Sequence, residues 1–248
     1  MKKIIHIMLE KTPLPVRNLL KRIGFKRPYS LIFNKYDVEL HCQREWVKEF
    51  KKEDVRKKVL TYWNKYRHLD EIKKTCKFKK NTKVLDVGCG ISSVLHFVDG
   101  EKYGIDPLGD EYNKIYSYPE DCNIKKGFSE DITYPDDFFD VVLCTNALDH
   151  VTDPEKSIEE IQRVLKPDGF FILAVEIFNK ATKRDNAHPH SFTKEYTLNL
   201  IKDGFKVFET KETKWIGIIN YVNGSRKAEN KEFMLFLKNK KDKIKKDK

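Results

Sequence analysis

The chain has 248 residues, 40% hydrophobic and 12% aromatic, with a formal net charge of +11. That composition excludes a disordered or collagen-like chain and suits one domain with a generous core plus an appendage. Residues 1–80 hold 23 Lys and Arg against 9 Asp and Glu, residues 81–230 hold 18 against 26, and residues 231–248 hold 8 against 3. The central region is therefore acidic, which speaks against a basic groove there and against a nucleic-acid partner.

Five cysteines (Cys42, Cys76, Cys89, Cys122, Cys144) are widely spaced with no C-x-x-C pair. They read as reduced thiols rather than a disulfide frame or a zinc site. Met1–Glu10 begins like a signal peptide, but its apolar run is short and His6 interrupts it. No later apolar run is long enough to span a bilayer, so the protein is expected in the cytoplasm.

Val16, Leu19, Leu20 and Ile23 fall on one helical face, with Arg17, Lys21 and Arg22 between them and Gly24 as a stop. This short basic helix either docks its apolar stripe on the domain or lies on an anionic membrane surface as a peripheral contact. Residues 41–75 predict one long helix or two shorter ones. Trp46 and Phe50, then Val55, Val59, Tyr62, Trp63, Tyr66 and Leu69, form the buried stripe. Lys51, Lys52, Arg56, Lys57 and Lys58 cover the solvated face. Residues 1–80 thus read as a helical cap, placed to cover a ligand cleft.

Lys83-Val84-Leu85-Asp86-Val87-Gly88-Cys89-Gly90-Ile91-Ser92-Ser93 reads as a buried strand, a glycine turn and a helix start. Gly88 and Gly90 permit unusual backbone angles, and Ser92 or Ser93 can cap the helix. Backbone N–H groups and the positive helix end would then face a ligand. Val94, Leu95 and Val98 belong to the predicted crossover helix. Tyr103-Gly104-Ile105-Asp106 is a second strand, ending 20 residues beyond Asp86, where a nucleotide-binding unit places the acid that grips ribose hydroxyls.

Gly127–Ile132 is a further ligand-facing segment, and Phe138–Cys144 is a long apolar strand running into Thr145–Val151. Asp153-Pro154 opens a helix, which Leu165-Lys166-Pro167-Asp168-Gly169 stops before strand Phe170–Val175. Residues 179–192 read as a polar, His-rich surface loop. A helix over 193–202 and strands near 205–210 and 232–238 close the chain. Residues 239–248, with six lysines, read as a disordered basic tail.

These motifs in this order resemble a class I S-adenosylmethionine-dependent methyltransferase of the small-molecule, methyltransferase-11-like type. The resemblance covers residues 81–238 and rests on Val84–Gly90, Phe138-Phe139-Asp140-Val141-Val142 and Glu160–Phe170. It implies an α/β fold, a Rossmann-like three-layer α/β/α sandwich with a seven-stranded, mostly parallel sheet. The implied order is 3-2-1-4-5-7-6 with the last strand antiparallel, preceded here by the 1–80 cap. It implies S-adenosyl-L-methionine as cofactor. Asp86, Gly88, Cys89 and Gly90 would hold its amino-acid end, Asp106 the ribose, and Pro107 and Leu108 the adenine face. Ser129 and Glu130 would approach the adenine edge, and Asn146 and Leu148 the methionine portion. Ser92 departs from the family in place of a third glycine, and Phe128 in place of a common adenine-binding Asp.

His150, His188 and His190 are the candidate catalytic or acceptor-contacting residues, since all three fall at the carboxyl end of the sheet. A base helps where the acceptor is a hydroxyl or a protonated amine. His150 also reads as a helix-entry residue bonded to local backbone. No ligand spacing among the three compels a metal, and none is assigned. Asp149 and Glu176 read as structural. The expected acceptor is a small polar molecule, such as a sugar or glycan precursor. RNA or protein methylation, nicotinamide-dependent dehydrogenation, and non-catalytic nucleotide binding are the rival classes.

Overall fold

The structure, a computed structural model, describes residues 35–182, 184, 188–214 and 230–241. The basic helix expected over Val16–Ile23 lies outside the described residues.

Seven strands form one sheet: β1 (Lys83–Val87), β2 (Glu101–Asp106), β3 (Cys122–Lys126), β4 (Phe139–Thr145), β5 (Leu165–Ile177), β6 (Phe205–Lys214) and β7 (Lys231–Asn239). Their order is β3-β2-β1-β4-β5-β7-β6. The first five run parallel, and β7 is antiparallel to both neighbours. The central strands are buried on both faces, as near-continuous apolar runs require. Their two-residue period sends alternate side chains to opposite layers. Val84, Val141, Leu143, Ile172, Ala174, Met234 and Phe236 face one core, whereas Leu85, Val142, Cys144, Phe171, Leu173, Phe233 and Leu235 face the other.

The second core is covered by α5 (Pro154–Val164) and α6 (Lys194–Ile201), through Ile158, Ile161, Val164 and Ile201. Asp153 caps α5 by accepting from the Lys156 N–H at 2.9 Å, and Pro154 stands at its first turn.

The first core differs from the sequence reading. Where Val94, Leu95 and Val98 predict a crossover helix, the chain makes a single 3-10 turn, Val94–His96. Ser93 accepts from the Leu95 N–H at 3.1 Å and donates to Asp86 at 2.6 Å, which closes the turn tightly. Gly100, at φ 133° and with Thr82 O where a Cβ would stand, then turns the chain straight into β2. The span 88–100 leaves no room for a helix and its two connections.

The missing layer is supplied from upstream by α1 (Lys35–Phe50), α2 (Glu53–Tyr66) and α3 (Leu69–Cys76). The region 41–75 is therefore parts of three helices, broken at Lys51-Lys52 and at His68, whose φ is 48°. Trp46, Phe50, Val55, Val59, Trp63 and Ile72 pack with Val94, Leu95 and Val98 in one cluster. A further short helix, α4 (Gly109–Ile115), follows β2.

The expected tail boundary at residue 239 is also corrected. Asn239 is buried in β7 and donates to Leu165 O at 2.9 Å and Lys166 O at 3.2 Å. Lys241 reaches Asp137 Oδ1 at 2.6 Å. Residues 242–248 lie outside the described residues. Among the described residues no helix is long and apolar enough to cross a membrane.

One buried ion pair ties the cap to the sheet. Arg67, just past α2, places Nη1 2.6 Å from Glu232 Oε2 on β7, and its Nε donates to the Tyr62 hydroxyl at 3.2 Å. Burial pushes the Glu232 carboxyl up to about 7, and the guanidinium opposes the shift. Arg67→Met leaves that carboxyl unpaired and is expected to cost about 3–5 kcal/mol, the range for breaking a buried pair. Arg67→Met with Glu232→Leu should recover most of the loss in urea unfolding, and a double variant no better than the single would contradict this.

Candidate active site

A cavity of about 490 Å³ opens at the carboxyl ends of β1, β2 and β4, under α1 and α2. This is where open α/β sheets bind ligands, and the volume falls within the range of about 300–1,000 Å³ for small-molecule sites.

The floor is the glycine turn. Gly88 and Gly90 have φ of 71° and 49°, left-handed values that β-carbon-bearing residues avoid. A Cβ on Gly88 would stand 2.3 Å from Ala147 Cβ, so the turn after β1 and the loop after β4 approach at backbone distance. The donors of the turn are engaged, contrary to the expectation that they face the ligand. Gly88 and Cys89 N–H both bond Ile105 O, at 2.8 and 3.2 Å. Gly90 N–H bonds Asp106 Oδ2 at 3.3 Å, and Ile91 N–H bonds Gln43 Oε1 at 3.2 Å. Behind them stands only the 3-10 turn Val94–His96, so no α-helix starts from the glycine turn.

Its charge comes instead from two carboxyls. Asp86 is buried and accepts from the Ser93 hydroxyl. Asp106 accepts from Gly90 N–H with one oxygen and from Leu108 N–H, at 2.9 Å, with the other. Burial pushes both carboxyls up to about 7. For Asp86 the Ser93 hydrogen bond opposes the shift, and for Asp106 the backbone N–H bonds oppose it while Glu39 adds to it.

Pro107 and Leu108 line the cavity beside Asp106. Cys89 contributes backbone there, while its buried thiol packs toward Gly104 and is pushed well above its ordinary pKa by burial. Ser129 and Glu130 also line it, but their side chains are committed. Ser129 Oγ lies 2.8 Å from Ser157 Oγ, and Glu130 Oε1 accepts from Thr152 N–H at 2.7 Å. Burial acts to raise the Glu130 pKa, but the backbone donors win and hold it low. Together they clamp this loop to the start of α5. Phe128 stands in the lining at 42% exposure, a ring where a carboxylate was the alternative.

Beyond β4, Thr145, Asn146 and Ala147 line the cavity, with Asn146 at φ 56° and its N–H on Ala174 O. Leu148 does not. Its side chain is fully buried in the second core, because the 3-10 turn Leu148–His150 rolls it beneath the sheet end. His150 and His188 are brought together at the cavity, rings 4.3 Å apart. His190 is not in the lining; a ring nitrogen lies 3.1 Å from Val151 O, which turns it to a local structural role. Asp149 is buried and paired with Arg184 at 2.9 Å, and Arg184 also reaches Glu176 at 3.2 Å.

Sequence reasoning assigned no individual role to the roof residues Lys35, Tyr36, Glu39, Gln43, Trp46 and Trp63. For Trp46 and Trp63 the signal was the apolar stripe itself. Buried Trp and Tyr carry a polar tip that needs a partner, and Trp63 Nε1 finds one in Ser92 O at 3.2 Å, on the turn after β1.

Residues 85–173 match the protein family described as a methyltransferase domain. The uncharacterized methyltransferase YcgJ of Bacillus subtilis is 29% identical over 150 residues, which cover 57% of this chain and 56% of that protein. Sterol 24-C-methyltransferase erg6 of Aspergillus fumigatus is 31% identical over 118 residues, 44% of this chain and 31% of that protein. The chain spans about half or less of the length of these curated relatives. The solved structure of YcgJ aligns with a TM-score of 0.53 at 16% identity, covering 72% of this chain and 100% of that one. An S-adenosylmethionine-dependent methyltransferase of Aquifex aeolicus aligns with a TM-score of 0.52 at 16% identity, covering 79% and 97%. At such identity the structures establish a shared fold.

Gly88→Ala forces a Cβ against Ala147 at a left-handed position, and is expected to cost roughly 1–3 kcal/mol. Ala147→Gly in the same chain removes the clash but not the backbone strain, so thermal denaturation should show partial recovery. Full tolerance of Gly88→Ala would show that the two loops do not meet as described.

Proposed function

We propose that residues 85–173, which match a methyltransferase-domain family, form a class I S-adenosylmethionine-dependent methyltransferase and that this chain methylates a small acceptor. The observation that carries the proposal is Asp106: a buried carboxyl at the end of β2, held by two backbone N–H groups beside a left-handed glycine turn. A carboxylate so fixed suits the vicinal hydroxyls of a ribose, which donate two hydrogen bonds to one acceptor group. Asp86, two strand positions beyond Val84 on the same face, suits the positively charged amino end. Asn146 and Ala147 stand across β1 from Asp106, so a cofactor laid over β1 would direct its far end toward β4.

S-adenosylmethionine supplies a methyl group already activated by its sulfonium. What remains for the protein is alignment of the acceptor and exclusion of water, and alignment by itself accounts for large rate factors. The roof of Tyr36, Trp46, Tyr62 and Trp63 covers the cavity, which supports a small acceptor with an apolar or ring-shaped body over an exposed polymer. His150 and His188 supply polar contacts at the β4 end, where the group to be methylated would sit. A sugar or glycan precursor fits that combination, its ring stacked on aromatic faces and a hydroxyl toward the histidines.

Calorimetric titration with S-adenosylmethionine tests the reading. Asp106→Ala should weaken binding about tenfold to a hundredfold, the worth of hydrogen bonds to a charged group. Unchanged affinity would remove Asp106 from the site.

The pH dependence has a defined sign. Ribose hydroxyls bond the ionised carboxylate best, and its pKa is raised to about 7, so affinity should be greatest above that pH. Below it the proton competes, and affinity should fall by at most roughly tenfold per pH unit for one linked proton. Asp86 is raised to about 7 as well, so Asp106→Ala should lessen rather than abolish the slope measured between pH 6 and pH 8, and a slope of the opposite sign would contradict the assignment.

A further inference from the structure

Asp149, His150 and His188 each offer one ligand atom, and the three atoms lie within 4.8 Å of one another. His150 Nε2 is 3.8 Å from Asp149 Oδ1, and the two imidazole rings are 4.3 Å apart at 52°. At 3.8 Å the Asp–His approach is too long for a hydrogen bond, so the pair is not an assembled general-base dyad. Two atoms bonded to one ion at about 2.0–2.2 Å can stand up to about 4 Å apart, and the 3.8 Å separation lies inside that limit.

The surroundings narrow the ion. Asp149 is buried, and its Oδ2 accepts from Arg184 Nη1 at 2.9 Å, which fixes the carboxylate and leaves Oδ1 as the atom nearest His150. An outer hydrogen bond of this kind orients a ligating group. Lys35 donates to His150 O at 2.9 Å, so two fixed cations stand close by. Long-range attraction for a cation is therefore weak, and an ion must be held by direct coordination. Two imidazoles and one carboxylate suit a zinc-like divalent ion, whereas magnesium and calcium prefer all-oxygen sites.

We propose that Asp149, His150 and His188 bind one zinc-like divalent transition-metal ion, with a coordination position open to the cavity that His150 and His188 line. Three protein ligands and one open position is the arrangement of a catalytic rather than a structural zinc site. An acceptor hydroxyl entering that position is polarised and loses its proton to bulk water more readily, so no histidine is needed as a base. The acceptor's role rests on the methyl-transfer reading, but the ion site itself does not.

The test uses the full chain without an affinity tag, stripped with a chelator and titrated with cobalt(II) in the absence of S-adenosylmethionine. The expected result is one equivalent bound with ligand-field bands of a four- or five-coordinate ion, displaced by zinc. His150→Ala and His188→Ala should each weaken cobalt binding by about tenfold or more, while His190→Ala retains it. Cobalt binding unchanged in both variants, or absent from the wild type, would overturn the proposal. Should a variant fail to fold, the wild type decides, because two paramagnetically shifted imidazole N–H resonances are required and none or one refutes the ligand set. Failure of S-adenosylmethionine to bind in a separate titration would count against methyl transfer and leave the cobalt result standing.

Discussion

Everything in the site depends on the apolar contact between the cap helices and the short turn after β1. Trp46, Phe50, Val59 and Trp63 bury their rings and methyls on Val94, Leu95 and Val98. Each fully buried side chain of this size is worth about 1.5–3 kcal/mol against exposure, so the cluster supplies the larger share of what holds the cap, with the Arg67–Glu232 pair beside it. Its consequence is electrostatic. Once α1 and α2 lie over the ends of β1 and β2, Asp86 and Asp106 lose water, and their pKa values rise to about 7. An open cleft would leave them ordinary carboxylates.

The cap also closes a line of buried charges along the sheet end, two guanidiniums among three carboxylates. Arg67 meets Glu232 on β7; Glu232 stands opposite Glu176 on β5 in the antiparallel register. Glu176 pairs with Arg184, and Arg184 with Asp149 beside the cavity. Buried charges are costly unless paired, and each carboxylate here has a guanidinium within reach. The line connects the cap, two strands and the loop after β4, so the position of His150 is coupled to elements far from it in sequence. Asp86 and Asp106 lie at one end of the cavity lining and His150 and His188 at the β4 end.

Much of this was legible beforehand because it depends on local pattern. The apolar residues Val84, Leu85 and Val87, the apolar run Phe139–Cys144 and the stop at Leu165–Gly169 follow from buried-strand composition and turn chemistry. The 20-residue spacing from Asp86 to Asp106 follows from the length of one strand-to-strand crossing. The strand order came from the family resemblance, and the sheet has that order.

Other features were set by what packs on what. The amphipathic spacing of Val94, Leu95 and Val98 was genuine, but only tertiary packing revealed that the cap already fills the layer where a helix would go. Leu148 and His190 are apolar and polar residues at the expected sheet end, yet one rolls into the core and the other turns to a backbone carbonyl. Asp149, which the sequence left as structural and which precedes His150 directly, meets His188 only in the fold, with Arg184 bonded to its carboxylate. By itself the sequence determined the strands, the glycine turn and its two acids, because each is fixed by residues near in the chain. Only the tertiary structure decided the roof, the raised carboxyl pKa values and the meeting of Asp149, His150 and His188. Those depend on desolvation and on contacts between segments far apart in sequence, which no local period records.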